Sequence, residues 1–414
     1  MKRCFLVLTA LVVLFFGQYP GFCATTQVDA LIEKLVEKNV ITRDEARKLK
    51  TEIVEDEKIR IQDEVKQALP GWVKNMEWKG DLRLRNEYID KDPGRGNDRQ
   101  RIRLRYGFKS KVNDKVSFSA GLASGNDNAA TSTNQTLEQE FDKKAIWIDY
   151  AFVNYDPTAW LNLKGGRFPN PFFTTDMVWD SDINFDGGVI ALKHALNSAE
   201  SKTPLEGYFT SAFLPIDNRS TSARDLWLLG LQGGVNAKFA DFASLKSGLA
   251  FYNFHSLEGY PTATLAQDKG TNSASGGNIK YDFNIVNPTL ELELNNPFGL
   301  GIPLTFIGDF AENNGAPAKN QAWRAGIAIG KKVKGIGDWR LLGQYSRIAA
   351  DALFDAFPDS DFDGGGTNAK GWEVLFDYGL AKNVVFSLDY YNTEPIVGSK
   401  VTEQVVQTDL VFKF

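Results

Sequence analysis

Histidine and methionine are scarce in these 414 residues, at two and three copies, and the only cysteines, Cys4 and Cys23, fall within the first 24 positions. Beyond residue 24 the chain therefore has no thiol for a disulfide framework or a cysteine metal site. His194 and His255 are far apart, and neither sits in a nucleophile or metal motif. That argues against an enzyme built on an activated serine, and no catalytic residue, metal site or cofactor is expected. Positive charge is not in excess. With 47 Lys and Arg against 52 Asp and Glu, for a formal net charge of -5, there is no nucleic-acid footprint. Past the N-terminus no apolar run approaches the ~20 residues that a spanning helix needs.

The N-terminus is the exception. Lys2 and Arg3 precede an apolar run from Phe5 to Phe16 and then a stretch containing Gly and Pro. This is the layout of a secretory signal, so residues 1–24 are read as a signal peptide cleaved after Ala24, and both cysteines leave with it.

Glycine and aromatics are plentiful, at 37 Gly, 29 Phe, 13 Tyr and 9 Trp. The apolar residues alternate along the chain instead of clustering. An outer-membrane barrel produces that combination, because lipid-facing and water-facing positions alternate along every strand.

Residues 25–70 differ from the rest. Val28, Leu31, Ile32, Leu35 and Val36 recur at helical spacing, and Thr42 with Glu45 has the form of a capping box opening a second helix. That helix is expected to run through Leu49, Ile53, Ile61 and Val65 until Pro70 and Gly71 stop it. So narrow an apolar stripe calls for a copy of itself, the barrel or a periplasmic component to pack against. A solvated spacer is the alternative.

From Trp78 the period becomes two. "WKGDLRLRNEY" sets Trp78, Leu82, Leu84 and Tyr88 opposite Lys79, Asp81, Arg83, Arg85 and Glu87, and "RQRIRLRYGFK" sets Ile102, Leu104, Tyr106 and Phe108 opposite Arg101, Arg103, Arg105 and Lys109. Further segments of this kind begin near Lys115, Ala145, Ala159, Phe185, Leu205, Asp225, Ser244, Lys280, Ile302, Ala322, Asp338, Ala369, Asn383 and Gln404, for a total of about sixteen strands. Linkers after odd-numbered strands are mostly long and polar, and those after even-numbered strands mostly tight. That is the asymmetry of extracellular loops against periplasmic turns. Residues 71–414 are thus expected to form an all-β transmembrane antiparallel barrel, preceded by a periplasmic, coiled-coil-like helical segment. A soluble β-sandwich or propeller would leave the loop asymmetry unexplained.

The last ten residues, "VVQTDLVFKF", put Val406, Thr408, Leu410, Phe412 and Phe414 on one side of an extended chain. Phe414 is expected in an aromatic girdle at the membrane interface. The pattern also resembles the signal read by the outer-membrane barrel assembly machinery, which makes Phe412 and Phe414 candidate assembly-signal residues.

Residues 160–192, "WLNLKGGRFPNPFFTTDMVWDSDINFDGGVIAL", resemble the putative porin family of Gram-negative outer membranes through Gly166, Arg167, Pro171, Phe172, Trp179, Asp180, Ser181, Asp182 and Gly187. The resemblance implies a trimeric, water-filled diffusion channel for small hydrophilic solutes, set in outer-membrane lipid, whose third long loop folds inward and narrows it. Candidate pore-lining residues are Arg83, Arg85, Arg101, Arg103, Arg105 and Arg167. Candidate constriction-loop residues are Asp176, Asp180, Asp182 and Asp186. Opposed basic and acidic rows would set a field across the pore, or the acids would pair with the arginines and hold the loop; the sequence leaves both open. The alternative function is a membrane anchor whose N-terminal helices tether the envelope or a periplasmic partner. "DSDFDGG", with Asp359, Asp361 and Asp363, imitates an EF-hand start but has Lys370 where the twelfth-position Glu belongs. It reads as an acidic extracellular loop.

Overall fold

The computed structural model describes residues 25–38, 40–53, 56, 71–94, 96–126, 129–198, 201, 203–218 and 224–414. The expected signal peptide, and the continuation of the second helix through Ile61 and Val65 to Pro70, lie outside the described residues. The chain divides into two compact units, residues 1–74 and 75–414.

In the first unit, helix α1 (Thr25–Glu37) is followed by helical residues 43–53, which we call α2. The capping box forms as a reciprocal pair. The Thr42 amide donates to Glu45 Oε2 at 2.8 Å, and the Glu45 amide donates to Thr42 Oγ1 at 3.3 Å, which satisfies two amides the first turn would leave open. An ion pair of 3.0 Å between Asp29 and Lys50 ties the helices together, and Ile32 and Ala46 are buried. Val28, Leu31 and Leu49 stay exposed, so part of the apolar stripe has no cover.

In the second unit sixteen antiparallel strands form one closed barrel: β1 (Met76–Asp92), β2 (Asn97–Lys111), β3 (Val116–Ser124), β4 (Ile146–Thr158), β5 (Leu161–Pro169), β6 (Asn184–Ala195), β7 (Leu205–Asp217), β8 (Leu226–Phe239), β9 (Ala243–His255), β10 (Phe283–Leu294), β11 (Leu304–Asn313), β12 (Gln321–Gly330), β13 (Trp339–Ile348), β14 (Ala369–Ala381), β15 (Val384–Pro395) and β16 (Thr402–Lys413). Closure joins the first strand to the last, in a register from Asp81 opposite Lys413 to Asp92 opposite Thr402. A closed sheet leaves no edge whose amides and carbonyls would go unsatisfied in hydrocarbon.

Alternation sets the two faces. On β12, Ala322, Arg324, Gly326 and Ala328 are buried, while Trp323, Ala325, Ile327 and Ile329 are exposed. Phe414 extends β16 by paired bonds to Gly80, at 2.8 and 3.0 Å. Its ring lies 6.1 Å from Tyr106, beside the stacked Trp78 and Tyr106. These aromatics line the turn end of the outer face.

One end of the barrel carries the long connections 125–145, 170–183, 256–282 and 349–368. Three of these, 170–183, 256–282 and 349–368, contribute to one apolar cluster inside the barrel, where Trp179, Leu257, Tyr260, Phe354 and Phe362 pack on Leu214, Leu228, Tyr252, Phe254 and Phe283 of the wall. The turn into and out of the 170–183 connection depends on glycine. Gly166 and Gly187 face each other across β5 and β6 with φ of 119° and 136°. A Cβ there would come within 2.4 Å of the Ala151 carbonyl oxygen or 2.2 Å of that of Phe213, so only glycine fits both the backbone and the space.

Candidate functional site

Asp81, Arg83, Arg85 and Glu87 on β1 turn inward, as do Arg101, Arg103 and Arg105 on β2. The register sets Arg83 opposite Arg103 and Arg85 opposite Arg101. Like charges directly opposite in a sheet repel, and acids compensate each one. Arg85 donates from Nε and Nη2 to the two carboxylate oxygens of Asp409, at 2.7 and 2.8 Å, and from Nη1 to Asp361 at 3.1 Å. Asp81 accepts from Arg103 Nε at 2.9 Å and from Arg105 Nε at 2.8 Å. Arg101 reaches Glu87 at 3.4 Å, and Glu87 also accepts from Arg99 and Gln407. Arg83 donates to Asn134 at 2.6 Å and lies 3.5 Å from Asp409. Arg85, Arg101 and Arg103 are buried. The rows are thus ion-paired beneath the loops, although the Nε atoms of Arg83 and Arg101 are buried without a hydrogen-bond partner among the described residues.

The 170–183 connection crosses this interior. At one end the amide and hydroxyl of Thr175 donate to Asp309 on β11, at 2.9 and 2.6 Å, and Asp176 pairs with Arg324 on β12. The Phe173 amide donates to Gln232 Oε1 on β8, and Gln232 Nε2 returns a bond to the Phe173 carbonyl, both at 2.7 Å. At the other end Asp182 accepts from the amide and hydroxyl of Thr133, at 3.1 and 3.0 Å, and lies 3.4 Å from Arg105. Between them Trp179 sits among Phe185, Phe357 and Tyr252, with ring centroids 4.9, 5.1 and 5.4 Å away. Asp180 accepts from the amides of Asp182 and Ser360, each at 2.8 Å.

Two expected residues belong elsewhere. Asp186 lies within β6, not in the loop, and Arg167 is its cross-strand partner, bonded to it at 2.8 Å. Both stand on the side of their strands opposite Phe168 and Phe185, whose rings join the interior cluster. Both line a cavity of about 310 Å³ with Ala130, Asp217 and Gln267. The period-two segment expected from Phe185 already includes Asp186, and the ladder begins one residue earlier, at Asn184.

The largest omission is the 349–368 connection. Read as an external acidic loop, it instead turns its acids onto the wall and its neighbours. Asp361 pairs with Arg85, Asp363 accepts from Thr393 at 3.0 Å, and Asp355 accepts from the amides of Thr271 and Asn272 at 2.8 and 3.1 Å. It is also stitched to the 170–183 connection, by Asp180 N to the Phe357 carbonyl at 2.8 Å and Asp359 N to the Asp176 carbonyl at 3.0 Å. Spacing alone carried no signal for this. Asp81, Glu87 and Asp409, in contrast, were findable, since they share the arginine face by simple alternation.

Burial, with the Asp182 charge beside it, pushes the loop carboxyl of Asp180 up to about 7. Burial followed by Asp361 and Asp180 holds Asp359 well above the usual carboxylate range. Burial acts to raise Asp361 as well, but Arg85, Gln407 and Arg83 override it and hold that group low. Toward the turn end the interior opens into cavities of about 610 and 650 Å³ that share Glu206. There Lys246 sits 4.2 Å over the Phe173 ring, a contact no motif announced.

No curated protein matches the chain. Among solved structures, the high-pH structure of Pseudomonas putida OprB has a TM-score of 0.53 at 10% identity, covering 83% of this chain and 95% of that one. Salmonella typhi OmpF in complex with daunomycin reaches 0.49 at 10% identity, covering 82% and 97%. At such identity the likeness to OprB is one of fold. The sequence profile of the family described as Putative porin matches residues 88–296 and 277–414. That span takes in the strand of Arg101, Arg103 and Arg105, the connection bearing Asp176, Asp180 and Asp182, and the closing strand, and on it the chain belongs to the putative porin family.

Proposed function

We propose that this chain forms a water-filled channel in the outer membrane, through which small hydrophilic solutes and ions diffuse passively past a constriction made by the 170–183 connection. The observation that carries the reading is the span of that connection, from the Asp182 contact with Arg105 on β2 to the Asp176 contact with Arg324 on β12. A barrel of sixteen strands is too wide for wall side chains to fill, so infolded loops and inward charges must set what passes. In this reading the arginine rows anchor the loops, and the constriction acids Asp176, Asp180 and Asp182 hold the loop's shape. Arg167 and Asp186 take no part. No covalent chemistry is involved.

The same proposal includes export by residues 1–24, a periplasmic position for residues 25–70, a homotrimer, and recognition of Phe412 and Phe414 by the barrel assembly machinery. Reconstitution into planar bilayers tests the channel. Stepwise conductance is expected, and folded barrel that never conducts overturns it.

A second reading makes the barrel an anchor for a periplasmic or cell-wall partner, and the uncovered Val28, Leu31 and Leu49 favour it. Deletion of residues 25–70 separates the two. Unchanged conductance with loss of envelope attachment assigns the segment to tethering, whereas loss of the oligomer assigns it to assembly through a helical seam.

A further inference from the structure

Arg347 on β13 and Lys370 on β14 are cross-strand partners on the outer face of the barrel, each next to the loop end of its strand. Cations directly opposite in a sheet destabilise the pairing unless something negative compensates them. Lys370 has an acid, Glu394 at 2.9 Å. Arg347 has none among the described residues, since its partners across the sheet are Trp323 and Lys370. Lys319, in the connection 314–320, also has no carboxylate partner among the described residues. Both unpaired cations line one rim cavity of about 230 Å³, with Gln321, Asn368 and Val397 around it. Of the other nearby acids, Glu312 accepts from the Gln321 amide at 3.2 Å, and Asp351, whose amide donates to the Lys319 carbonyl, accepts from the amide and hydroxyl of Ser273. The rim therefore holds two cations with no direct carboxylate contact among the described residues.

What lies beside this charge narrows the choice of anion. Trp323, Tyr345 and Trp372 form a chain of rings on the same outer face, with centroids 5.4 and 4.8 Å apart. Trp323 shares a rung with Arg347, and Trp372 stands two residues deeper than Lys370, roughly 7 Å along the strand. Below them the face continues with Ile327, Leu341 and Val374, all exposed. Aromatic girdles mark the level where headgroups meet acyl chains, so the cations sit at headgroup height over a surface suited to hydrocarbon. A soluble anion would use only the upper half of this arrangement.

We infer that the rim cavity between Lys319 and Arg347 binds a phosphorylated headgroup of an outer-leaflet glycolipid, whose acyl chains lie along the aromatic and aliphatic face beneath. The inference rests on the proposed orientation, with the long connections outside the cell. Lys319 and Arg347 supply the charge and the charge-assisted hydrogen bonds to it.

The test uses the full-length barrel purified in detergent, with diphosphorylated lipid A, its dephosphorylated form and inorganic phosphate as probes. Bound copies are counted by native mass spectrometry, and conductance is recorded in parallel. Lys319→Gln/Arg347→Gln should weaken retention of the phosphorylated lipid about thirtyfold, at roughly fivefold per cation removed near an anionic surface. Lys319→Gln alone, a loop change that leaves the strands intact, should weaken it about fivefold. Lys332→Gln at the turn end should change nothing. Equal retention by wild type and double variant overturns the inference, as does equal retention of the dephosphorylated lipid. Binding of inorganic phosphate that depends on the two cations, without retention of lipid, makes this an anion site only and also overturns it. Wild-type barrel that conducts but holds no lipid defeats this inference while leaving the channel intact.

Discussion

Arg85 and Asp409 are joined by two parallel hydrogen bonds, 2.7 and 2.8 Å long, directly across the seam where the first and last strands meet. They are 324 positions apart in sequence and both are buried. A planar guanidinium matched to a carboxylate gives this contact direction as well as strength, so it specifies the register of closure. Asp409→Asn or Arg85→Gln should each destabilise the folded barrel, by less than the roughly 3–5 kcal/mol of a fully stranded buried charge, because Arg85 keeps Asp361 at 3.1 Å and Asp409 keeps Arg83 at 3.5 Å. Replacing both with apolar residues of similar volume should recover most of that loss. Denaturation of the heat-modifiable barrel in detergent measures it. If the double replacement is no better than the worse single one, the pair does not act as a unit.

The Asp176 to Arg324 contact fixes the far end of the 170–183 connection. Asp176→Asn should loosen that end, giving a larger unitary conductance and more frequent fluctuations in planar bilayers. Thr175 keeps its own two bonds to Asp309, so the connection should not leave the interior entirely. A conductance identical to wild type would mean that this connection does not bound the narrowest section.

The junction of the two infolded connections should respond to pH. In the docked arrangement Asp180 titrates near 7, raised from 3.8 chiefly by burial. Between those two values the docked form holds a proton that the released form has lost, so docking weakens as pH rises through this window and levels off above 7. Asp359 shifts in the same direction and Asp361 in the opposite one. Closing and opening events should therefore be more frequent at pH 8 than at pH 5. Asp180→Asn should flatten much of that difference. A wild-type record independent of pH over this range would remove Asp180 from the junction.

Much of this architecture is legible without coordinates, and the part that is not has a physical cause. Alternation along Arg101, Arg103 and Arg105 exposes a two-faced strand because each residue reports its own side. The Thr42 and Glu45 spacing exposes a cap because the partners are one turn apart. Nothing local records that Arg85 meets Asp361, 276 positions away, or that residues 349–368 fold inward. Those contacts exist only once closure brings the strand tops together. Asp186 shows the converse: grouped with Asp176, Asp180 and Asp182 it looks like loop, although the alternation from Phe185 already sets it in a strand, whose ladder begins at Asn184.

The end of the chain supplies a test of biogenesis. Phe414 is 57% exposed on the outer face, so its ring adds little to the folded core. Phe414→Ala should nevertheless slow insertion and leave unfolded protein in the periplasm if the terminal aromatic is read during assembly, while the purified variant barrel keeps wild-type stability. Equal levels of heat-modifiable barrel in cells would remove that role.

The arginine wall and the lipid face meet along β2, where Leu104 is exposed between inward Arg103 and Arg105. Leu104→Arg sets a charge against hydrocarbon, at about 2–4 kcal/mol near the midplane, and insertion should suffer. Arg103→Gln/Arg105→Gln should insert, because the changed side chains stay inside the barrel. That variant leaves Asp81 and Asp182 without their guanidinium partners, so the reversal potential under a salt gradient should shift toward cations, most strongly at low ionic strength where screening is long-ranged. Adding Asp81→Asn removes one of the two stranded charges and should bring the potential part of the way back. Such a return would show that the row acts through its pairing with acids. A cation shift that ignores Asp81→Asn would instead mean that the arginines face the permeating ions directly.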